Sequence, residues 1–202
     1  MDDKHLQRTS STLPLYRMPG TCDWEQVLGD RSRTSLELIL ADGLAKRRWF
    51  GAKARRIESA RVVDAFRLTP RARLLLAEVR FAEGPPEVYQ LPLALAEGEE
   101  AARISAVAPA TQWASLELAD RREPTLLYDA LTDDHVCGEL LRAIEREARL
   151  RGDGELAAWR SPLFEQARGD ASRPLESRSK WPPGGSGVFS STPARFIASE
   201  LT

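Results

Sequence analysis

The chain has 202 residues, 42% of them hydrophobic and 29% charged, with 29 basic residues set against 30 acidic ones. That length suits one ordinary domain, or two small ones sharing a core, and the charge balance gives no global pull toward nucleic acid or an anionic membrane. No apolar run approaches the roughly 20 residues of a membrane span, and Met1-Asp2-Asp3-Lys4-His5 places acids where a secretory signal would begin with cations, so a cytoplasmic protein is expected.

Residues 1–22 read as a flexible polar leader, with Arg8-Thr9-Ser10-Ser11-Thr12 followed by Pro14, Pro19 and Gly20. A helix is predicted over residues 34–48. Thr34 and Glu37 have capping-box spacing, and Leu36, Ile39, Leu40 and Leu44 share one face. Lys46, Arg47 and Arg48 would complement the helix dipole in the last turn, with Gly51 as the stop. Gly43 weakens the middle of that helix, which points to close packing there.

Three strands follow, at Arg61–Leu68, Arg73–Phe81 and Glu87–Leu95. Strict alternation places Leu75, Ala77, Val79 and Phe81 on one face, and Tyr89, Leu91, Leu93 and Leu95 on another. The links Thr69-Pro70 and Glu83-Gly84-Pro85-Pro86 are too short for a crossover helix, so the strands must be antiparallel neighbours. A helix lying across an antiparallel sheet is an α+β arrangement. Beyond residue 97, Arg103–Val107 and Leu126–Leu131 read as short strands, and Trp113–Ala119 is ambiguous. A second helix is predicted from Thr132 to Arg151, with Thr132 as N-cap, a stripe of Val136, Leu140, Ile144 and Ala148, and Gly152 as the stop. Residues 169–202 are rich in Ser, Pro, Gly and Arg and read as a disordered or aberrant tail.

Little in the chain suggests self-contained chemistry. Cys22 and Cys137 form no CxxC and read as buried small hydrophobes, and with His5 and His135 they match no zinc spacing. No GxSxG elbow accompanies the histidines. Gly184-Gly185-Ser186-Gly187 lacks the lysine of a Walker loop. The remaining candidate is Lys46–Arg56, KRRWFGAKARR, in which six of eleven residues are cationic around an aromatic pair. Such a segment either contacts phosphate and a base through pairing and stacking, or is a helix end that tucks Trp49 and Phe50 into a core.

Arg48-Trp49-Phe50-Gly51-Ala52-Lys53-Ala54-Arg55 resembles the RWFxxKxR signature of the N-terminal cap domain of bacterial maltokinases, which occur alone or fused to trehalose synthase. Val62-Val63-Asp64-Ala65-Phe66, Val88-Tyr89-Gln90-Leu91-Pro92-Leu93 and Leu127-Tyr128-Asp129-Ala130-Leu131-Thr132-Asp133 are similar to later segments of that family, so the resemblance covers about residues 24–165. It implies a cystatin-like cap over residues 23–97 and a partial intermediate α/β subdomain over 98–168. It also implies membership of a sugar-kinase family that uses ATP and magnesium to make maltose 1-phosphate, with a glucosamine-kinase relative as the neighbouring class. The cap-loop candidates it singles out are Arg48, Trp49, Phe50, Gly51, Lys53 and Arg55: Trp49 and Phe50 to fix the loop, Lys53 and Arg55 to face the nucleotide phosphates.

The family continues with an EQSN[TS]S-type phosphate loop and a lysine-bearing strand, and neither pattern occurs here. Nor does the H-x-D-x-x-x-x-N catalytic pattern that places a base and a metal ligand. The change of composition near residue 177 leads to the expectation of a truncated or frame-shifted product. Two readings result: a maltokinase cap region inactive by itself, without a catalytic, cofactor or metal site of its own, or a binding module that contacts a kinase catalytic lobe or a trehalose synthase. Nucleic acid and membrane are not expected partners.

Overall fold

Alternating apolar residues build one six-stranded sheet in this computed structural model, which describes residues 13–18, 23–118 and 123–168. The strands are β1 (Leu15–Met18), β2 (Ile57–Arg67), β3 (Ala72–Phe81), β4 (Glu87–Ala96), β5 (Gln112–Leu118) and β6 (Thr125–Asp129). Their spatial order is β1-β5-β6-β4-β3-β2. The meander β2-β3-β4 is antiparallel, as its short links require, with Val62 opposite Ala77 and Leu75 opposite Leu91. β4 also pairs antiparallel with β6, and β6 with β5, so one sheet unites strands from both sides of residue 97. β1 lies parallel to β5, with Leu15 opposite Ser115. Residues 15–18, expected in a loose leader, are therefore an edge strand, because their backbone finds a partner in β5.

Two apolar layers cover the sheet. On one face Leu75, Ala77, Val79, Leu91, Leu93, Leu116 and Leu127 pack against the helices α1 (Trp24–Leu28) and α2 (Asp30–Leu44). The alternation read from the sequence holds here: Leu75, Ala77 and Val79 are fully buried, and Leu91 and Leu93 nearly so. On the other face a smaller cluster of Ala72, Ala94, Ala96, Leu126 and Tyr128 receives Ile104 of α3 (Gly98–Val107) and Val136 of α4 (Asp134–Glu145). Helices on one face and a small mixed layer on the other give an α+β fold.

The helix boundaries correct several expectations. α2 starts at Asp30 and ends at Leu44, four residues earlier than predicted at each end. Its N-cap is Gly29, without a side-chain bond, and Asp30 supplies the acid that the first turn favours. Glu37 does not reach back to close a capping box; its carboxylate accepts from the Val62 N–H on β2 at 3.0 Å. α1 was not foreseen. Its N-cap is Asp23, which accepts from Gln26 N at 2.8 Å, and the Trp24 indole donates to Arg71 O at 2.7 Å across the β2–β3 turn. Arg103–Val107, expected as a strand, is the end of α3, in which Ile104 is the only buried residue.

The second long helix also divides. A 3-10 turn at Ala130–Thr132 precedes α4, and the N-cap is Asp133, accepting from His135 N at 2.8 Å, not Thr132. α4 ends at Glu145 because Glu147 adopts φ 50°, a left-handed conformation that stops a helix. Arg149 and Arg151, expected to close the helix, lie in the hairpin β7 (Arg149–Arg151) and β8 (Glu155–Ala157), with Gly152 in its turn. A last helix, α5 (Pro162–Arg168), follows. Val136 is buried as expected, but Leu140 and Ile144 are only half-buried. Cys137 is half-buried too, its thiol bonded to Leu131 O at 3.2 Å. Cys22, His5, Gly184–Gly187 and the tail 169–202 lie outside the described residues. No helix among the described residues is long and apolar enough to cross a membrane.

Candidate functional site

The segment 46–56 leaves α2 through a run of turns and enters β2. Its aromatic pair anchors it. Phe50 is 2% exposed and lies between Phe81 on β3 and Tyr89 on β4, with ring centroids 6.4 and 5.2 Å away. Trp49, half-buried, meets Phe50 edge-on at 6.5 Å and Tyr89 at 6.4 Å. Burying one such ring stabilises by roughly 1.5–3 kcal/mol, so Trp49 and Phe50 fix the loop against the meander.

Arg55 completes the anchor. Its guanidinium carbon stands 3.6 Å above the Phe81 ring. Nη2 donates to Glu83 O at 3.0 Å and Pro85 O at 2.6 Å, Nε donates to Glu83 O at 3.3 Å, and Nη1 donates to Glu87 Oε1 at 2.6 Å. The other Glu87 oxygen accepts the Tyr89 hydroxyl proton at 2.6 Å. Glu87 thus bridges a cation and a phenol, and burial with this carboxylate pushes the Tyr89 pKa above its usual range. The turn that Arg55 grips contains Gly84 at φ 82°, a left-handed position suited to glycine, and a Cβ there would lie 3.0 Å from Arg55 Nη2.

A second anchor sits at the loop's start. Arg47, expected among the dipole-complementing cations of a last helical turn, is 8% exposed. It donates to Ala110 O at 2.9 Å and Gln112 O at 2.7 Å, and its guanidinium carbon lies 4.1 Å from the Trp113 ring centroid. Burial lowers its pKa, and the Asp129 charge opposes that shift. Asp129 accepts from Leu131 N at 3.0 Å; burial raises its pKa, opposed by that bond and by Arg47. Arg47 therefore links the loop to the entrance of β5 and electrostatically to the Asp129-Ala130-Leu131 segment. Its Nε and the Trp113 indole N–H are buried without a hydrogen-bond partner. The Trp113 ring in turn presses on Gly43, where a Cβ would stand 2.6 Å from Cε3, which confirms the close approach expected at that glycine.

Of the six candidates, Trp49, Phe50 and Arg55 meet around the β3–β4 hairpin. Arg48 and Lys53 are exposed, and with Lys46 they have no acidic partner within 4 Å among the described residues. Gly51 is exposed, with nothing within 4 Å of a Cβ placed on it. Lys53 and Arg55 do not converge on one acceptor. Sequence reasoning missed Arg47, Phe81, Glu87 and Tyr89. The signal for Glu87 and Tyr89 was their same-face spacing directly after the hairpin turn. Arg55 is committed to the hairpin, and among the described residues no three His, Cys, Asp or Glu side chains gather.

The geometry is that of a loop held rigidly on a sheet, with three cations left outward. Residues 44–133 match the family model of the maltokinase N-terminal cap domain, a span that begins at the end of α2 and closes at the Asp133 cap of α4. Over those residues, less than half of the chain, it is similar to the maltokinase N-terminal cap domain.

Proposed function

We propose that this chain serves as the non-catalytic cap of a maltokinase-type sugar kinase and binds the catalytic lobe through the outward side of the 46–56 loop. The cap-domain match over residues 44–133 is the observation that carries this reading. The loop geometry supports it, because Phe50, Arg55 and Arg47 are consumed in fixing the loop and leave Lys46, Arg48 and Lys53 for a partner. ATP, magnesium and sugar are bound by that lobe, and the acceptor is maltose or, in the neighbouring class, glucosamine. The cap itself transfers no phosphate. The pairing takes place in the cytoplasm.

The test is association of the purified chain with a separately expressed maltokinase catalytic lobe, followed by light scattering and calorimetry. A one-to-one complex is expected, weakened by salt and by Arg48→Glu with Lys53→Glu. Absence of a complex at micromolar concentrations, or a complex indifferent to both changes, would refute docking through the loop. Preferential binding to a trehalose synthase in the same assay would move the partner to that enzyme.

A further inference from the structure

β2 is the outer strand of the sheet, eleven residues long and free of proline, yet its open edge is occupied at two places. At Val62 the backbone N–H donates to Glu37 Oε1 at 3.0 Å, and the C=O accepts from Arg33 Nη2 at 2.6 Å. These two α2 side chains also pair with each other at 3.5 Å, so Glu37 holds Arg33 in place. Past a register shift between Val62 and Asp64, the second cover is the β7–β8 hairpin.

That hairpin contributes no residue to either apolar cluster. It is held to β2 by one carboxylate. Asp64 Oδ1 accepts from Asp153 N at 2.9 Å and from Ala65 N at 2.7 Å, and Oδ2 accepts from Gly154 N at 2.8 Å. The turn is shaped around this group: a Cβ on Gly152 would collide with the carboxylate and stand 3.0 Å from Ala65 O, and one on Gly154 would stand 3.1 Å from Oδ2. Asp64 and the glycines of Arg151-Gly152-Asp153-Gly154 therefore explain each other across about ninety residues of chain.

We propose that the β7–β8 hairpin is a strap, clasped by Asp64, which together with the Arg33–Glu37 pair closes a strand-pairing surface on β2 whose partner is β2 of a second copy of this chain. Unprotected edges of this kind pair readily with other strands, and covering them is a recognised protection. Charge complementarity favours self-pairing. An antiparallel β2–β2 register centred between Val62 and Val63 sets Arg61 opposite Asp64 and Glu58 opposite Arg67, and Glu58, Arg61 and Arg67 are exposed.

The test uses the whole chain, with hydrogen exchange and light scattering as readouts. Gly152→Val forces the strap off while keeping Asp64, and Asp64→Ala opens the clasp without adding bulk. In both, the Asp153 and Gly154 amides should exchange about tenfold faster or more, with tryptophan fluorescence unchanged. Combining Gly152→Val with Glu37→Ala opens both covers and should produce a concentration-dependent dimer, which Arg61→Glu then disperses. Unchanged amide protection in both single variants would overturn the clasp. A double variant that stays monomeric with fast-exchanging β2 amides would overturn the pairing surface.

Discussion

Gly43→Ala weighs two opposing effects at one atom. The new Cβ would lie 2.6 Å from Trp113 Cε3 and 2.9 Å from Cζ3, whereas carbon atoms in comfortable contact sit about 3.5–4.0 Å apart. The intrusion is therefore on the order of 1 Å, into a ring that is 3% exposed and has the Arg47 guanidinium over its face. Replacing glycine by alanine within a helix gains up to about 1 kcal/mol, while overpacking of this kind costs about 1–3 kcal/mol. Overpacking wins, and a net loss of about 1–2 kcal/mol is predicted. For a chain of this size, that lowers Tm by roughly 2–8 °C. Urea unfolding followed by tryptophan fluorescence, with calorimetry beside it, measures the change. A variant as stable as the parent, or more stable, would refute the argument, since the ring would then be free to move and the glycine unnecessary.

Gly51→Ala is the counterpart: with open space around its Cβ, the substitution should leave Tm unchanged or raise it slightly, and a loss of lobe binding without loss of stability would place Gly51 at the docking face. Arg55→Lys should destabilise the chain by about 1–2 kcal/mol, nearly as much as Arg55→Ala, because an ammonium cannot span the Glu83, Pro85 and Glu87 acceptors while stacking on Phe81; an unaltered urea midpoint would contradict this. The three tyrosines, Tyr16, Tyr89 and Tyr128, all have pKa values raised above the ordinary 10.0, with burial the largest cause. Their unfolded phenols release protons first, so the stability they contribute is intact below pH 10 and is lost as pH rises through their folded values. Thermal melts from about pH 8 to 11.5 should show that fall, shallower in Tyr89→Phe, and a flat profile would exclude it.

The strands of the β3–β4 hairpin were legible because alternation is a local property that burial on one face imposes directly. β3 and β4 began and ended within one residue of their expected limits. The helices were less so, since their boundaries depend on distant partners. Glu37 has capping-box spacing from Thr34 but serves the β2 edge, and Arg47 resembles a dipole-complementing cation but reaches the carbonyls of residues 110 and 112. The left-handed Glu147 carries no sequence signal, because only glycine advertises that conformation. At the loop, the RWFxxKxR octet falls within the span that matches the cap-domain model. The division of labour within it was hidden, because what commits Arg55 and frees Lys53 is the hairpin 28–32 residues further on.

Whether this cap acts with a catalytic lobe is read from product formation. The chain would be incubated with ATP, magnesium and maltose, alone and with a separately expressed maltokinase lobe, and maltose 1-phosphate measured over time. No product is expected from the chain alone, and a faster rate from the mixture than from the lobe by itself. Product from the chain alone, or a lobe whose rate is unchanged by added chain, would contradict this expectation.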